Sequence, residues 1–315
     1  MITTLTLNPC IDRTVTVDGF AYGGTNHVEN FRCDISGKGI NVSIALNNIG
    51  EETRCLGFNY MGGGSVLTDF LEQEHIPNEF LDVEGLLRTN IKIFDKKTSV
   101  MSELNESGHC VTEDCVSKLV RLVEKYLPKT SLLVLDGSVP PGVPKDIYRI
   151  LTEKAHSLGV KTVIDAYGEL LLEGIKARPY LIKPNKDELE EAFGEKIKSK
   201  ADVIRISREI INQGVTIVCV SLGKSGAMLV TKEKAYFSAG ADITVRGVQG
   251  AGDSLVAGIC YAIVHGMSHK DMLRYGVAMA HGSLVLEGTQ MCTKESFEDM
   301  IPLIHAEEIQ ENDDR

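Results

Sequence analysis

Several short stretches of the chain are apolar with little or no alternation: Leu132-Leu133-Val134-Leu135, Thr162-Val163-Ile164, Tyr180-Leu181-Ile182 and Thr216-Ile217-Val218-Cys219-Val220. A strand of this kind has no face to give to water. Amphipathic helical patterns stand between them, over 112–126, 144–158, a short turn after Glu169, 186–192 and 199–213. Buried strands alternating with helices predict a mainly parallel sheet with helices on both faces, an α/β fold of the doubly wound kind. Two further strands, 226–231 and 234–238, read as antiparallel, and helices over 253–264 and 271–286 close the core.

The N-terminal third is less regular. Ile2 to Leu7 reads as a core strand and Arg13 to Val17 as a half-exposed one. A glycine turn then opens a helix over 39–49, followed by a strand at 54–58 and a helix from the Gly62-Gly63-Gly64 turn to Glu74. From Asn78 to Glu103 the pattern shifts to period two, which predicts a small separate sheet. The expected architecture is one α/β domain over residues 1–315, with a β lid built from segments 12–35 and 78–105. The acidic end, Glu307 to Arg315, is expected to fray.

Composition excludes some functions. A formal net charge of −11 argues against nucleic acid, which needs a basic footprint. The eight cysteines are scattered and form no C-x-x-C pair, as expected of reduced thiols in a cytoplasmic protein. The first residues read as a strand and not as a signal peptide, and no apolar run reaches membrane-spanning length.

Chemistry is expected beyond the carboxyl ends of the strands, where parallel α/β sheets bind ligands. Polar and glycine-rich segments recur there: Asn8-Pro9-Cys10-Ile11-Asp12, Asp136-Gly137-Ser138, Asp165-Ala166-Tyr167-Gly168, Lys183-Pro184-Asn185 with Glu188, and Ser221-Leu222-Gly223 with Gly226. The turn Gly250-Ala251-Gly252-Asp253 opens the next helix. Its free N–H groups and dipole suit a phosphate or a developing negative charge. From local pattern alone, Asp253 is either a first-turn cap or a base. The G-x-x-x-x-G-K-[ST] and G-x-G-x-x-G fingerprints, H-E-x-x-H and G-x-S-x-G are all absent.

Seven segments in this order resemble the ribokinase-like (PfkB) carbohydrate kinase family, in its phosphofructokinase and tagatose-6-phosphate kinase branch. They are Thr6-Leu7-Asn8-Pro9 with Asp12, Gly37-Lys38-Gly39-Ile40-Asn41-Val42, Arg88-Thr89-Asn90-Ile91-Lys92, Gly137-Ser138-Val139-Pro140-Pro141-Gly142, Lys183-Pro184-Asn185 with Glu188, Ser221-Leu222-Gly223, and Gly250-Ala251-Gly252-Asp253. The resemblance runs over nearly the whole chain. It implies ATP-dependent phosphoryl transfer to a sugar-phosphate hydroxyl, with fructose 1-phosphate as first acceptor, tagatose 6-phosphate second and fructose 6-phosphate third.

By the same resemblance, Asp253 is the general base, and the N–H groups of Gly250, Ala251 and Gly252 stabilise the transferring phosphoryl. Asp12, Gly37, Lys38, Gly39, Asn41, Arg88 and Ser138 are implied on the sugar phosphate, with Lys38 and Arg88 gripping its resident phosphate. Lys183, Asn185, Glu188, Ser221, Gly223 and Gly226 are implied on the nucleotide side, with Glu188 holding Mg2+ through water. Val277 and Ala280 are candidates for the adenine wall. A monovalent cation is a candidate cofactor beside ATP and Mg2+, and a homodimer through the lid is the expected assembly.

The chain departs from the branch at Ser36, His27, Leu87, Asp136, Ala166-Tyr167 and Val248-Gln249. None of these removes a group assigned to chemistry, but they bear on the substrate; His27 stands where a phosphate-reading arginine is often found. A non-catalytic binding regulator is the rival from another class, and a dehydrogenase lacks its glycine fingerprint.

Overall fold

A computed structural model describes residues 1–310. From the N-terminus the chain forms β1 (Ile2–Thr6), β2 (Cys10–Val17), β3 (Asn30–Ser36), α1 (Lys38–Asn48), β4 (Thr53–Gly62) and α2 (Ser65–Gln73). Next come β5 (Asn78–Leu86), β6 (Arg88–Asp95), β7 (Val100–Leu104), α3 (Glu113–Tyr126), β8 (Leu132–Asp136), α4 (Ile147–Ser157) and β9 (Lys161–Asp165). Then follow α5 (Gly168–Lys176), β10 (Leu181–Ile182), α6 (Lys186–Phe193), α7 (Lys200–Asn212), β11 (Ile217–Ser221), β12 (Ala227–Val230) and β13 (Ala235–Ser238). The last elements are α8 (Ala251–Val264), α9 (His269–Leu284), α10 (Lys294–Met300) and β14 (Glu307–Ile309).

The main sheet has ten strands in the order β14-β13-β12-β11-β10-β9-β8-β1-β4-β5. It is parallel from β5 to β11 and antiparallel from β11 to β14. The sequence pattern explains this division. All five residues of β8 are buried, as a strand without a polar face requires, and each fully buried leucine contributes about 1.5–3 kcal/mol. Helices cover both faces. On one side α3 presents Val116, Leu119, Leu122 and Val123 at helical spacing. On the other, α8 is buried from Asp253 to Cys260, because it lies between the sheet with α1 and the outer helix α9.

The lid is a separate sheet of four strands, β3-β2-β6-β7. Its central pair, β2 and β6, is parallel, with Cys10 opposite Arg88 and Asp12 opposite Asn90. Two expectations are corrected here. Asn78–Leu86 belongs to the main sheet and not to the lid: it is the edge strand β5, parallel to β4. An edge strand is partly exposed, so its burial alternates and it reads in sequence like a lid strand. The chain end does not fray from Glu307 either. Glu307–Ile309 pairs antiparallel with β13, Ile309 is buried, and Lys234 donates to Glu308 at 2.8 Å. The remainder of that acidic stretch, 311–315, lies outside the described residues. The helix at Lys294–Met300 and the strand β3 were not resolved as separate elements in the sequence reading.

Helix α8 can reach its depth only because α9 lets it come close. A Cβ on Gly258 would lie 2.5 Å from the carbonyl oxygen of Tyr275 and 2.8 Å from Gly276 Cα. Gly258→Ala is therefore expected to lower stability by about 1–3 kcal/mol through overpacking, read as a shift of the urea midpoint. An unchanged midpoint would show that the two helices separate freely.

Candidate active site

Two strands of the main sheet end in carboxylates. β8 closes on Asp136, 1% exposed, and β9 on Asp165, with no exposed surface. The turn into α8 adds a third: Gly250 takes a left-handed backbone, φ 75°, which glycine adopts without penalty, and Asp253 follows in the first helical turn. Oxygens of Asp136, Asp165 and Asp253 lie within 4.8 Å of one another. Two lysines balance them. Lys38, first residue of α1, approaches Asp165 Oδ1 at 3.1 Å, and Lys183, after β10, approaches Oδ2 at 3.2 Å.

These neighbours set the protonation of each group. Burial pushes Asp253 up to about 6; Asp165 adds to the shift, while Lys38, the Asn41 amide and Lys183 oppose it. Asn41 Nδ2 donates to Asp253 Oδ2 at 2.7 Å, which orients the carboxylate. Burial, with Asp165 beside it, raises Asp136 well above the usual carboxylate range. Burial also acts to raise Asp165, but Lys183 and Lys38 outweigh it and hold that group low. For Lys38 the order repeats: burial acts to lower it, and Asp165 and Asp136 raise it further. A buried carboxylate near 6 beside two ammonium groups can accept a proton at neutral pH.

The lid supplies the opposite wall. Because strand side chains alternate, Cys10 and Asp12 of β2 share a face with Arg88, Asn90 and Lys92 of β6. Lys92 Nζ meets Asp12 Oδ2 at 2.7 Å, and Asn90 Nδ2 donates to Asp12 Oδ1 at 3.0 Å. Burial acts to raise Asp12, and Lys92 prevails and holds it below its ordinary value. The Arg88 guanidinium donates to the carbonyl oxygen of Asn8 at 2.8 and 3.1 Å and to that of Glu106 at 2.7 Å. Asn8 Nδ2 donates to Ser138 Oγ at 3.2 Å. The thiol of Cys10 donates to Asp12 and is pushed up to about 12, chiefly by burial, so it is no nucleophile.

Between lid and sheet lies a cavity of about 380 Å³. Of the expected residues, Asp12, Gly37, Lys38, Asn41, Arg88, Ser138, Gly250 and Asp253 line it. Lys38 belongs to the carboxylate cluster, although it was expected on a resident phosphate. Gly39 does not line the cavity; its lack of a side chain lets α1 pack on β1, since a Cβ there would lie 2.6 Å from the Leu5 carbonyl oxygen. Ala251 and Gly252 form the first turn of α8, and a Cβ on Gly252 would sit 4.0 Å from Lys183 Nζ.

The remaining residues form a second group along the same sheet edge. Asn185 and Ser221 are joined by a parallel bridge. Asn185 and Glu188 make a reciprocal capping box on α6, each bond 2.8 Å. Gly223 turns with φ 58° into open space, whereas a Cβ on Gly226 would strike the Ser238 carbonyl oxygen.

The sequence reading assigned no role to Asp136, Asp165, Asn8, Asn90 or Lys92. The available signals are a carboxylate closing a buried strand, and polar residues at the alternate positions 88, 90 and 92 of β6. Several buried polar atoms here have no hydrogen-bond partner among the described residues: Asn8 Oδ1, both Asp136 oxygens, Gln249 Nε2 and Thr289 Oγ1. All four residues line the cavity. Orphaned polar atoms converging on one space mark a place for a polar ligand.

The sequence matches the pfkB family carbohydrate kinase family over residues 5–296. It is 33% identical to the 1-phosphofructokinase of Bacillus subtilis, covering 96% of this chain and 98% of that one. It is 31% identical to the D-tagatose-1-phosphate kinase of Bacillus licheniformis, covering 90% and 92%. The crystal structure of phosphofructokinase-2 from Escherichia coli in complex with potassium superposes with a TM-score of 0.87 at 25% identity, over 96% of this chain and 98% of that one. With a fold, a cavity and a family match that agree, the chain belongs to the PfkB family of carbohydrate kinases and is a sugar phosphotransferase that uses ATP.

Proposed function

We propose that the protein is a 1-phosphofructokinase, which converts fructose 1-phosphate and ATP to fructose 1,6-bisphosphate and ADP. The observation that carries this reading is Asp253, a buried carboxylate near pKa 6 at the start of α8, facing one cavity with the lid's Asp12 and Arg88. Relatives named for 1-phosphate sugars support a resident phosphate on C1. D-Tagatose 1-phosphate is the second acceptor to consider, because one of those relatives is named for it. Tagatose 6-phosphate and fructose 6-phosphate would bind with the sugar reversed.

In this reading Asp253 accepts the proton of the attacking hydroxyl, with Asn41 holding its carboxylate. The oxygen–phosphorus bond to the sugar forms as the bond to the leaving ADP breaks. Backbone N–H groups of Gly250, Ala251 and Gly252, with the ammonium groups of Lys38 and Lys183, meet the charge on the phosphoryl oxygens. Asp12 orients sugar hydroxyls, with Ser138 and Gly37 beside them, and Arg88 grips the resident phosphate. Asn185, Ser221 and Gly223 border the nucleotide phosphates, and Gly226 lets that loop pack.

Mg2+ fits hard oxygen donors: Glu188 has spent Oε2 on its capping box, and Oε1 would hold the ion's water shell. Bound with the nucleotide, the ion neutralises phosphate charge. A monovalent cation is the further cofactor in this reading, which the potassium complex of the Escherichia coli phosphofructokinase-2 supports. We place the protein in the cytoplasm; no helix of the described residues is long and apolar enough to cross a membrane.

The lid's outer surface carries Phe31, Val100 and Leu104, all more than half exposed, which supports a homodimer through the lid. Sedimentation at micromolar concentration is expected to show a dimer; a monomer would remove this assembly.

The deciding assay is ADP release with MgATP and four acceptors: fructose 1-phosphate, tagatose 1-phosphate, tagatose 6-phosphate and fructose 6-phosphate. The highest kcat/KM is expected with fructose 1-phosphate. Preference for a 6-phosphate would overturn the C1 assignment, and turnover of none would favour a non-catalytic binding regulator.

Asp253→Asn is expected to lower kcat by about 10²–10⁴-fold with ATP affinity nearly unchanged. Because the base must be ionised, wild-type kcat should fall about tenfold per pH unit below about 6 and stay level above it. The residual activity of Asp253→Asn should lack that acid limb, which separates the base from ionisation of the substrate's own phosphate. A variant that keeps both its rate and its limb would end the assignment.

A further inference from the structure

The segment 239–250 carries the chain from β13 into α8, and Gln249 is its last residue before the Gly250 turn. Its side-chain Nε2 is closed off from solvent and has no hydrogen-bond acceptor among the described residues, although Gln249 lines the cavity. A buried amide donor left unmade costs about 1–3 kcal/mol, so the position calls for an acceptor brought by a ligand. Thr289 repeats the pattern. It lines the same cavity, its Oγ1 is also orphaned, and its carbonyl oxygen would lie 4.0 Å from a Cβ on Gly250. Both side chains therefore flank the turn that presents the first N–H groups of α8, with Lys183 over Gly252 beyond it.

The chemistry of the donors selects the ligand. An amide NH2 only donates, and it lines the cavity together with Gly250, at the start of α8, and the ammonium-bearing Lys38, a surrounding for an anion with several acceptor oxygens. A sugar hydroxyl already has Asp253 to receive its proton.

We propose that Gln249 is a further catalytic residue, whose Nε2 donates to an equatorial oxygen of the phosphoryl group in transit, with the Thr289 hydroxyl as a second donor. The inference rests on the phosphoryl-transfer reading above. As the hydroxyl oxygen bonds to phosphorus, the bond to the leaving ADP oxygen breaks and its electron pair leaves with ADP. The hydroxyl proton goes to Asp253. Charge on the equatorial oxygens is then met by backbone N–H groups and by one side-chain amide, which is not consumed.

The test uses the full chain with Gln249→Met, which removes the donors at similar length, and Gln249→Glu, which puts an anion in their place. Gln249→Met is expected to lower kcat about 10- to 100-fold, in the range of a lost oxyanion donor, and Gln249→Glu to lower it further. KM for ATP and for sugar phosphate should stay within about threefold, as for an interaction made mainly in the transition state. The acid limb should not move. Affinity for MgADP with aluminium fluoride and sugar phosphate should fall in step with kcat, while affinity for MgADP alone stays level; a merely structural role would not produce that split.

Unchanged kcat in both variants would overturn the proposal, as would a loss confined to the KM of the sugar phosphate, which would place Gln249 on the sugar. Wild type is assayed alongside. If it transfers no phosphoryl group to any acceptor, the kinase reading fails and takes this contact with it; if wild type is active and the variants match it, only the role of Gln249 fails.

Discussion

Lys38 and Lys183 meet opposite oxygens of Asp165 at 3.1 and 3.2 Å, where that carboxylate has no exposed surface. A charge so buried must be compensated, and removing one partner of a buried pair costs about 3–5 kcal/mol. The two contacts therefore tie together the start of α1, the end of β9 and the segment after β10. Asp136 and Asp253 bring two more carboxylates to the same two ammonium groups. Fully ionised, three carboxylates and two ammonium groups leave one negative charge in surplus. Burial, with Asp165 adding to it, acts on the least compensated members, Asp136 and Asp253, and both are raised. Burial is thus what makes Asp253 basic enough to take a proton, with Asp165 adding to it and the two lysines limiting it. In the proposed reading, ATP brings further negative charge beside these carboxylates, and a divalent cation bound with it would offset that charge.

Much of this was legible in the sequence because the responsible patterns are local. Wholly apolar strands gave the parallel sheet, and the glycine turn at 250 gave the start of α8. The motif segments gave most of the residues that line the cavity. What escaped depends on pairing between distant segments. Asp136 and Asp165 look like ordinary strand ends until β8 and β9 are aligned side by side, with Asp136 opposite Asp165. Asn90 and Lys92 gain meaning only from the register that sets β6 against β2. The contact of Lys38 with Asp165 is not readable from the Gly37-Lys38-Gly39 segment, because it depends on where α1 starts relative to the end of β9. β5 read as lid because an edge strand and a half-exposed lid strand share one period. Glu188 shows the converse: its capping box is a local pattern, visible in Asn185-Lys186-Asp187-Glu188, yet it fixes only where α6 begins.

The lid is bound to the sheet by the same few groups that form the cavity wall. The chain leaves β1 at Thr6 and enters β2 at Cys10, so Leu7, Asn8 and Pro9 are the whole connection. Asn8 is held from both sides: its carbonyl accepts from Arg88 of β6, and its amide donates to Ser138 after β8 and to the Ser107 carbonyl. A shift of the lid must break contacts made by Arg88 and Ser138, both lining residues, so lid position and site geometry are mechanically one variable.

This coupling has an electrostatic polarity. At the lid end Asp12 is balanced by Lys92 at 2.7 Å, while the Arg88 guanidinium is held by carbonyl oxygens and the Asn90 side chain, with no carboxylate bonded to it among the described residues. Glu103 lines the same rim but is exposed, where solvent and salt screen it. At the sheet end the buried carboxylates exceed the ammonium groups. In the proposed reading, an acceptor carrying a dianionic phosphate on one carbon and a hydroxyl on another lowers its energy by turning the phosphate to Arg88 and the hydroxyl to Asp253. The opposite orientation would leave the guanidinium without an anion and Asp253 without a hydroxyl. In the proposed reading the unpaired guanidinium therefore favours the orientation that brings the far hydroxyl to Asp253, before any contact specific to one sugar is made.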